Sequence, residues 1–137
     1  MVYSVILHVP RKAGISLEEF KQYWENSHIP LLKRLVGHEF PLSHTRHYIE
    51  RLADPPQIDP TLRPSGVAVA ETVGSVEVDG VAVLTFATKD HYERFTGKLA
   101  DTKKRRSYEE DLNRFVDIQA MRGMVAVSGF VHSNTTY

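Results

Sequence analysis

The element order read from the sequence predicts an α+β protein, a ferredoxin-like split β-α-β sandwich closing into a dimeric α/β barrel. Three observations carry this. Residues 2–9 are β-branched and apolar on both faces and stop at Pro10, so the chain opens on a covered strand. Ser16 with Glu19 three residues later forms a capping box ahead of an apolar helical series. From the first strand to the last, the order reads β-α-β-(loop)-β-α-α-β, with helices on one face of the sheet. The other face also needs cover, and a second copy packed sheet against sheet supplies it.

In the first strand Tyr3, Val5, Leu7 and Val9 share one face and Val2, Ser4, Ile6 and His8 the other. The first helix carries Leu17, Phe20, Trp24, Leu31 and Leu35 at helical spacing, with His28 in the same series. Pro30 lacks an amide donor and clashes with the carbonyl of Asn26, so a kink or restart is expected there. Gly37 is the expected stop.

A polar second strand spans 42–51. Residues 52–66 hold four of the seven prolines and read as a long loop. The Val-rich stretch 67–78 reads as a hairpin or part of the next strand. Asp79-Gly80 reads as a turn before a strand over 81–86. Thr88 caps a helix carrying Tyr92 and Phe95. Residues 98–114 form a charged helix with a thin stripe of Tyr108, Leu112 and Phe115. The last strand is read over 124–131, with a polar tail after it.

The 137 residues fit one domain, 1–137, and 42% of them are hydrophobic, enough for a core. Lys plus Arg and Asp plus Glu are 17 each, so no charge excess favours nucleic acid or an anionic membrane. Cysteine is absent, which excludes disulfides, thiol catalysis and zinc-thiolate sites. No apolar run approaches the roughly 20 residues of a membrane span, and the start reads as structure, so a cytoplasmic protein is expected. Nucleotide-binding glycine loops and the G-x-S-x-G elbow are also absent.

Seven histidines remain as groups usable near neutral pH. His28, on an apolar helix face beside Trp24, reads either as a general acid/base or as a buried ring capping carbonyls freed by Pro30. The second strand supplies His44, Arg46, His47, Tyr48 and Arg51. The H-x-x-H pair His44/His47 points to opposite faces of a strand, a poor metal set, and no metal is expected. His44, Arg46 and Tyr48 share a face, read as a pocket wall or as charge protecting an edge. Asp117 reads as a partner for a histidine or as a turn residue. His8 lines a dimer contact or a pocket. His38, His91 and His132 fall in loop, helix-surface and tail contexts.

The strings Tyr3-Ser-Val-Ile-Leu, Gly14-Ile-Ser-Leu-Glu-Glu-Phe20 and Tyr23-Trp24-Glu-Asn-Ser-His28-Ile-Pro30-Leu resemble the EthD domain family. Asp79-Gly-Val-Ala-Val-Leu-Thr-Phe86 and Asp111-Leu-Asn-Arg-Phe115-Val-Asp117 look like it too. The resemblance covers most of the chain outside the proline-rich loop. It implies a cofactor-free dimeric α+β barrel with a pocket between helices and sheet. Small stand-alone members look like tailoring proteins of fungal polyketide pathways, tied to dehydration, cyclisation or aromatisation of a poly-β-keto chain. The family's motif histidine corresponds to His28, and its Phe-hydrophobic-Asp string ends at Asp117. The stretch 52–78 is long for a minimal member and is expected to shape the entrance.

On this reading His28 moves the proton, Asp117 orients it, and Tyr48, with His47 in the same strand, donates to a developing enolate. Trp24, His8, Arg46 and Phe86 bind substrate. The alternatives are a cofactor-free monooxygenase of anthrone-like phenols, a non-catalytic carrier of a hydrophobic intermediate, and a small regulatory ligand-binding domain. Fold analogy does not choose among them.

Overall fold

Strand β1 (Tyr3–Val9) opens the chain in the computed structural model, which describes residues 2–49 and 79–127. The proline-rich loop 52–66, the stretch 67–78, Arg51, His132 and the end of the last expected strand lie outside the described residues. The capping box forms as expected. Ser16 Oγ accepts from the Glu19 amide at 3.0 Å, and Glu19 accepts from the Ser16 amide at 2.9 Å. Helix α1 (Leu17–Tyr23) then runs through a π-helical turn, Trp24–His28, into α2 (Ile29–Val36). Within the turn the Ile29 amide reaches back to the Trp24 carbonyl, five residues away. The helix therefore absorbs Pro30 by widening, without breaking. Gly37 ends it with φ +58°, a conformation that favours glycine.

Strand β2 (Ser43–Tyr48) follows, then β3 (Gly80–Phe86), α3 (Lys89–Leu99), α4 (Thr102–Leu112) and β4 (Arg122–Val127). Thr88 caps α3, its hydroxyl accepting from the His91 amide at 3.0 Å. Asp79-Gly80 is not a free-standing turn. Asp79 is buried and accepts from the Arg11 amide at 2.7 Å, and Gly80 already pairs in β3. The charged stretch 98–114 is also shorter as a helix, because Asp101 caps a fresh start, its side chain accepting from the Lys104 amide.

The four strands form one open antiparallel sheet in the order β2-β3-β1-β4, the ferredoxin-like arrangement. The helices lie on one face. There Val5, Val9, Ala82, Leu84 and Phe86 pack under Phe20, Trp24, Phe95 and Phe115, all buried. On the opposite face Ile6 pairs across the strands with Val83 and Met124, and His8 with Val81 and Arg122. Ile6, Val81 and Val83 are only half-buried there, and Met124 is 49% exposed.

Gly80 sits under the first helix where a side chain does not fit. A Cβ there would lie 2.7 Å from Trp24 Cζ3 and 3.2 Å from Phe20 Cε2. Gly80→Ala is therefore expected to destabilise the fold by about 1–3 kcal/mol, read as a lower urea midpoint with an unchanged slope.

Candidate functional site

The π turn directs its residues to different partners. His28 meets α4, where its Nδ1–H donates to Asp111 Oδ2 at 2.8 Å. Tyr23 donates its hydroxyl to Asp111 Oδ1 at 2.6 Å. Both carboxylate oxygens are thus occupied by donors, as a buried carboxylate requires. A carboxylate on Nδ1 fixes the tautomer, so Nε2 carries a lone pair, and it has no protein partner among the described residues. Burial lowers the His28 pKa below its ordinary 6.5, against the opposing pull of Asp111. The ring is therefore neutral at pH 7 and able to accept a proton.

Glu25, three residues before His28, turns to β2. Its Oε2 accepts from Arg46 Nε at 2.9 Å and from the Tyr48 hydroxyl. Arg46 Nη1 in turn donates to His44 Nδ1 at 2.8 Å and to the His44 carbonyl at 3.0 Å. Burial first, then the Arg46 charge, pushes the His44 pKa down to about 4. The Trp24 ring stands edge-on to both His44 and Tyr48, with centroids 6.4 and 5.9 Å away.

Between these arms lies a cavity of about 250 Å³. His28, His44 and Trp24 line it from one side, Val5, Leu7 and Leu84 from the sheet, and Tyr92, Phe95, Leu99 and Tyr108 from α3 and α4. Its walls are apolar apart from the two imidazoles, the Thr96 hydroxyl and the tyrosine hydroxyls. Burial pushes the Tyr108 phenol up to about 12, so it stays protonated. Thr96, Leu99 and Tyr108 also line a surface groove between α3 and α4, so these side chains form the wall between it and the cavity. Among the described residues no group of three or more acidic, His or Cys side chains is placed to hold a metal ion. No helix among them is long and apolar enough to cross a membrane.

Of the residues expected at a site, His28 and Trp24 line the cavity. Arg46 stands behind His44. Tyr48 does not offer its hydroxyl to the cavity, because Glu25 takes it, and its ring packs edge-on against Phe20 and Trp24. Asp117 does not orient His28. It is exposed at the start of a short 3-10 turn beside Lys12 and Ile118, and the partner of His28 is Asp111. His47 is exposed on the far face of β2, and strand alternation carries His8 to that face too. Phe86 is core, packed on His91, Tyr92 and Phe95. His91 is not a surface group. It is buried, accepts from the Ala87 amide and donates Nε2–H to the Glu39 carbonyl at 3.1 Å, joining α3 to the turn before β2.

Asp111 is the site residue that charge patterning hides. It reads as one of many charges on a solvated helix. Yet it lies between Tyr108 and Phe115, on the stripe that faces the core.

The buried imidazoles predict an acid-sensitive fold. His28 and His44 have folded pKa values below the unfolded 6.5, so the unfolded chain takes up protons first as pH falls. Their stabilising effect is complete above pH 6.5 and is lost as the pH falls below it, for His44 down to about 4. Glu25, whose carboxylate is held below its ordinary value, adds a further loss below pH 4.5. Urea unfolding at pH 7.5 and pH 4.5 should differ by on the order of 3 kcal/mol, and His44→Gln should flatten the difference.

The profile of the EthD domain matches residues 12–119. No curated protein matches the chain. Among solved structures, an EthD-like protein from Ralstonia eutropha is 15% identical, with a TM-score of 0.57, over 98% of this chain and 97% of its own. An EthD (ethyl tert-butyl ether D) family protein from Bacillus halodurans is 12% identical, with a TM-score of 0.53, over 94% of this chain and 100% of its own. A dimeric ferredoxin-like protein of unknown function from Thermobifida fusca is 10% identical, with a TM-score of 0.50, over 93% and 92%. At such identities the structures speak for the fold, while the profile spans most of the chain and the His28 motif: this protein belongs to the EthD domain family.

Proposed function

We propose that this chain is a general acid/base catalyst of the polyketide-tailoring type, dehydrating or cyclising a poly-β-keto intermediate. The observation that carries the reading is the His28–Asp111 pair opening onto an apolar cavity. A 1,3-dicarbonyl has acidic α-protons, and a neutral imidazole with a free Nε2 lone pair removes one and returns it elsewhere. Asp111 holds the tautomer and stabilises the imidazolium as it forms. The surrounding Trp24, Phe95 and Leu99 exclude water and fold the chain, which supplies proximity. Proton transfer of this kind needs no metal or organic cofactor. At about 250 Å³ the cavity suits a small ligand of one or two rings.

The working unit is proposed as a homodimer. Ile6, Val81, Val83 and Met124 form an apolar patch on the sheet face away from the helices, and pairing two such faces covers it and makes the barrel. The dimeric Thermobifida fusca protein shares the fold. Light scattering at micromolar concentration should give the mass of two chains, and Val83→Arg should give one.

Incubation with reactive polyketide intermediates, followed by mass spectrometry, tests the activity. Loss of one water from the mass means dehydration, and unchanged mass with a new absorption band means cyclisation. Gain of one oxygen atom would instead favour the monooxygenase reading, and binding without turnover the carrier reading. His28→Asn keeps a donor for Asp111 and removes the base, so turnover should fall roughly 100-fold or more with folding intact. Because burial lowers the His28 pKa, kcat/KM should hold through pH 6.5 and fall only below it. Asp111→Asn should move that acid limb lower still, since the carboxylate raises the His28 pKa.

A further inference from the structure

We propose that His44 is the second catalytic group of the cavity, a neutral imidazole whose Nε2–H holds the carbonyl oxygen of an enolisable ketone opposite His28. The inference rests on the acid/base reading of His28 and names the ligand class it takes.

The tautomer follows from the donor. A guanidinium has no lone pair to offer, so Arg46 Nη1, 2.8 Å from His44 Nδ1, makes Nδ1 an acceptor and leaves the ring proton on Nε2. Arg46 is itself held by Glu25 at 2.9 Å and by the His44 carbonyl at 3.0 Å. The ring is fixed between Phe40, stacked at 6.1 Å, and the edge of Trp24. It lines the cavity with His28, and its Nε2 has no protein partner among the described residues. Two imidazoles of opposite tautomer thus face one apolar space, one able only to accept at Nε2 and the other only to donate.

A ligand that satisfies both carries a carbonyl oxygen next to an acidic C–H. The proton passes from the α-carbon to His28 Nε2, and the C–H electron pair becomes the carbon–carbon double bond. The carbonyl π pair moves to oxygen, which takes a stronger hydrogen bond from His44 Nε2–H. No electron is gained or lost overall. The groups around His44 favour its neutral form. Arg46 on its own strand and His28 on the facing π turn oppose protonation, and Glu25, which favours it, is already paired with Arg46.

The test uses the full-length protein and benzoylacetone, a stable enolisable 1,3-diketone. Long-range nitrogen–proton spectra of the labelled protein should show His44 as the Nε2–H tautomer and His28 as the Nδ1–H tautomer between pH 6 and 8. Saturation with benzoylacetone should shift the His44 Nε2–H. A His44 in the Nδ1–H or doubly protonated form, absence of binding, or a bound state that leaves its Nε2–H unmoved overturns the proposal. His44→Gln keeps a donor near the Nε2 position and should bind within threefold of the parent, whereas His44→Leu should bind at least tenfold more weakly. Equal binding by the two variants, each checked for native spectra, also overturns it. Acceleration of diketone α-proton exchange above its spontaneous rate in the same buffer reads His28 separately. Its absence in the parent protein, with the His44 shift intact, would sink the acid/base reading and leave the binding role of His44 standing.

Discussion

The hydrogen bond between His28 and Asp111 fixes the relation of the first helical rod to α4, and the cavity exists because of that relation. Its partners are 83 residues apart in sequence. A carboxylate this buried is costly unless both oxygens are served, and Tyr23 and His28 serve one each. The histidine is neutral, so the pair avoids placing two full charges in the core. The cost of the arrangement is offset by the aromatic packing around it, where His28 lies within 5.2 Å of the Phe115 centroid and 5.4 Å of Tyr108. Loss of Asp111 would leave the His28 Nδ1–H buried and unmatched, and loss of His28 would leave Asp111 Oδ2 so, which is worse than never having had the pair.

A second consequence concerns where charge sits. Asp111 stands one bond behind His28, while Arg46 stands one bond and Glu25 two bonds behind His44, so these charged groups reach the cavity only through the two imidazoles. The carboxylate makes one ring a base, and the guanidinium makes the other a donor. The cavity thus distinguishes donor from acceptor without presenting a full charge. In such a setting a hydrogen bond to a developing oxyanion is stronger than the same bond in water.

The fold was legible because its signals are local. The Ser16/Glu19 capping box, the Thr88 cap and the two-faced apolar strand at 3–9 each act within a few residues, and the order of elements then restricts the topology. The site was legible only in half. His28 declares itself as a polar residue in an apolar series, but its partner depends on which helix packs against it, which no local pattern states. Asp117 ends the Phe-hydrophobic-Asp string on which the family resemblance rests, so the sequence points to it. The structure uses Asp111 instead, six residues earlier, because only that position lies on the buried side of α4. Tyr48 and His47 are absent from the cavity wall for two different reasons. Strand alternation turned His47 to the far face, whereas Tyr48 lies on the right face with its hydroxyl already engaged.

The widened turn at Trp24–His28 connects these points. In a regular α-helix the residue four after Trp24 stacks over it on one face, and a single face would have to meet sheet and α4 alike. The π turn inserts a fifth residue before the backbone bond closes, at the point where Pro30 has no amide to donate. Glu25 is thereby free to meet β2 while His28 meets α4, with Trp24 between them resting on Gly80. Proline at this position thus acts with the glycine across from it. The first opens the helix, the second leaves room for the indole beneath it, and both polar arms of the cavity start from the turn so formed.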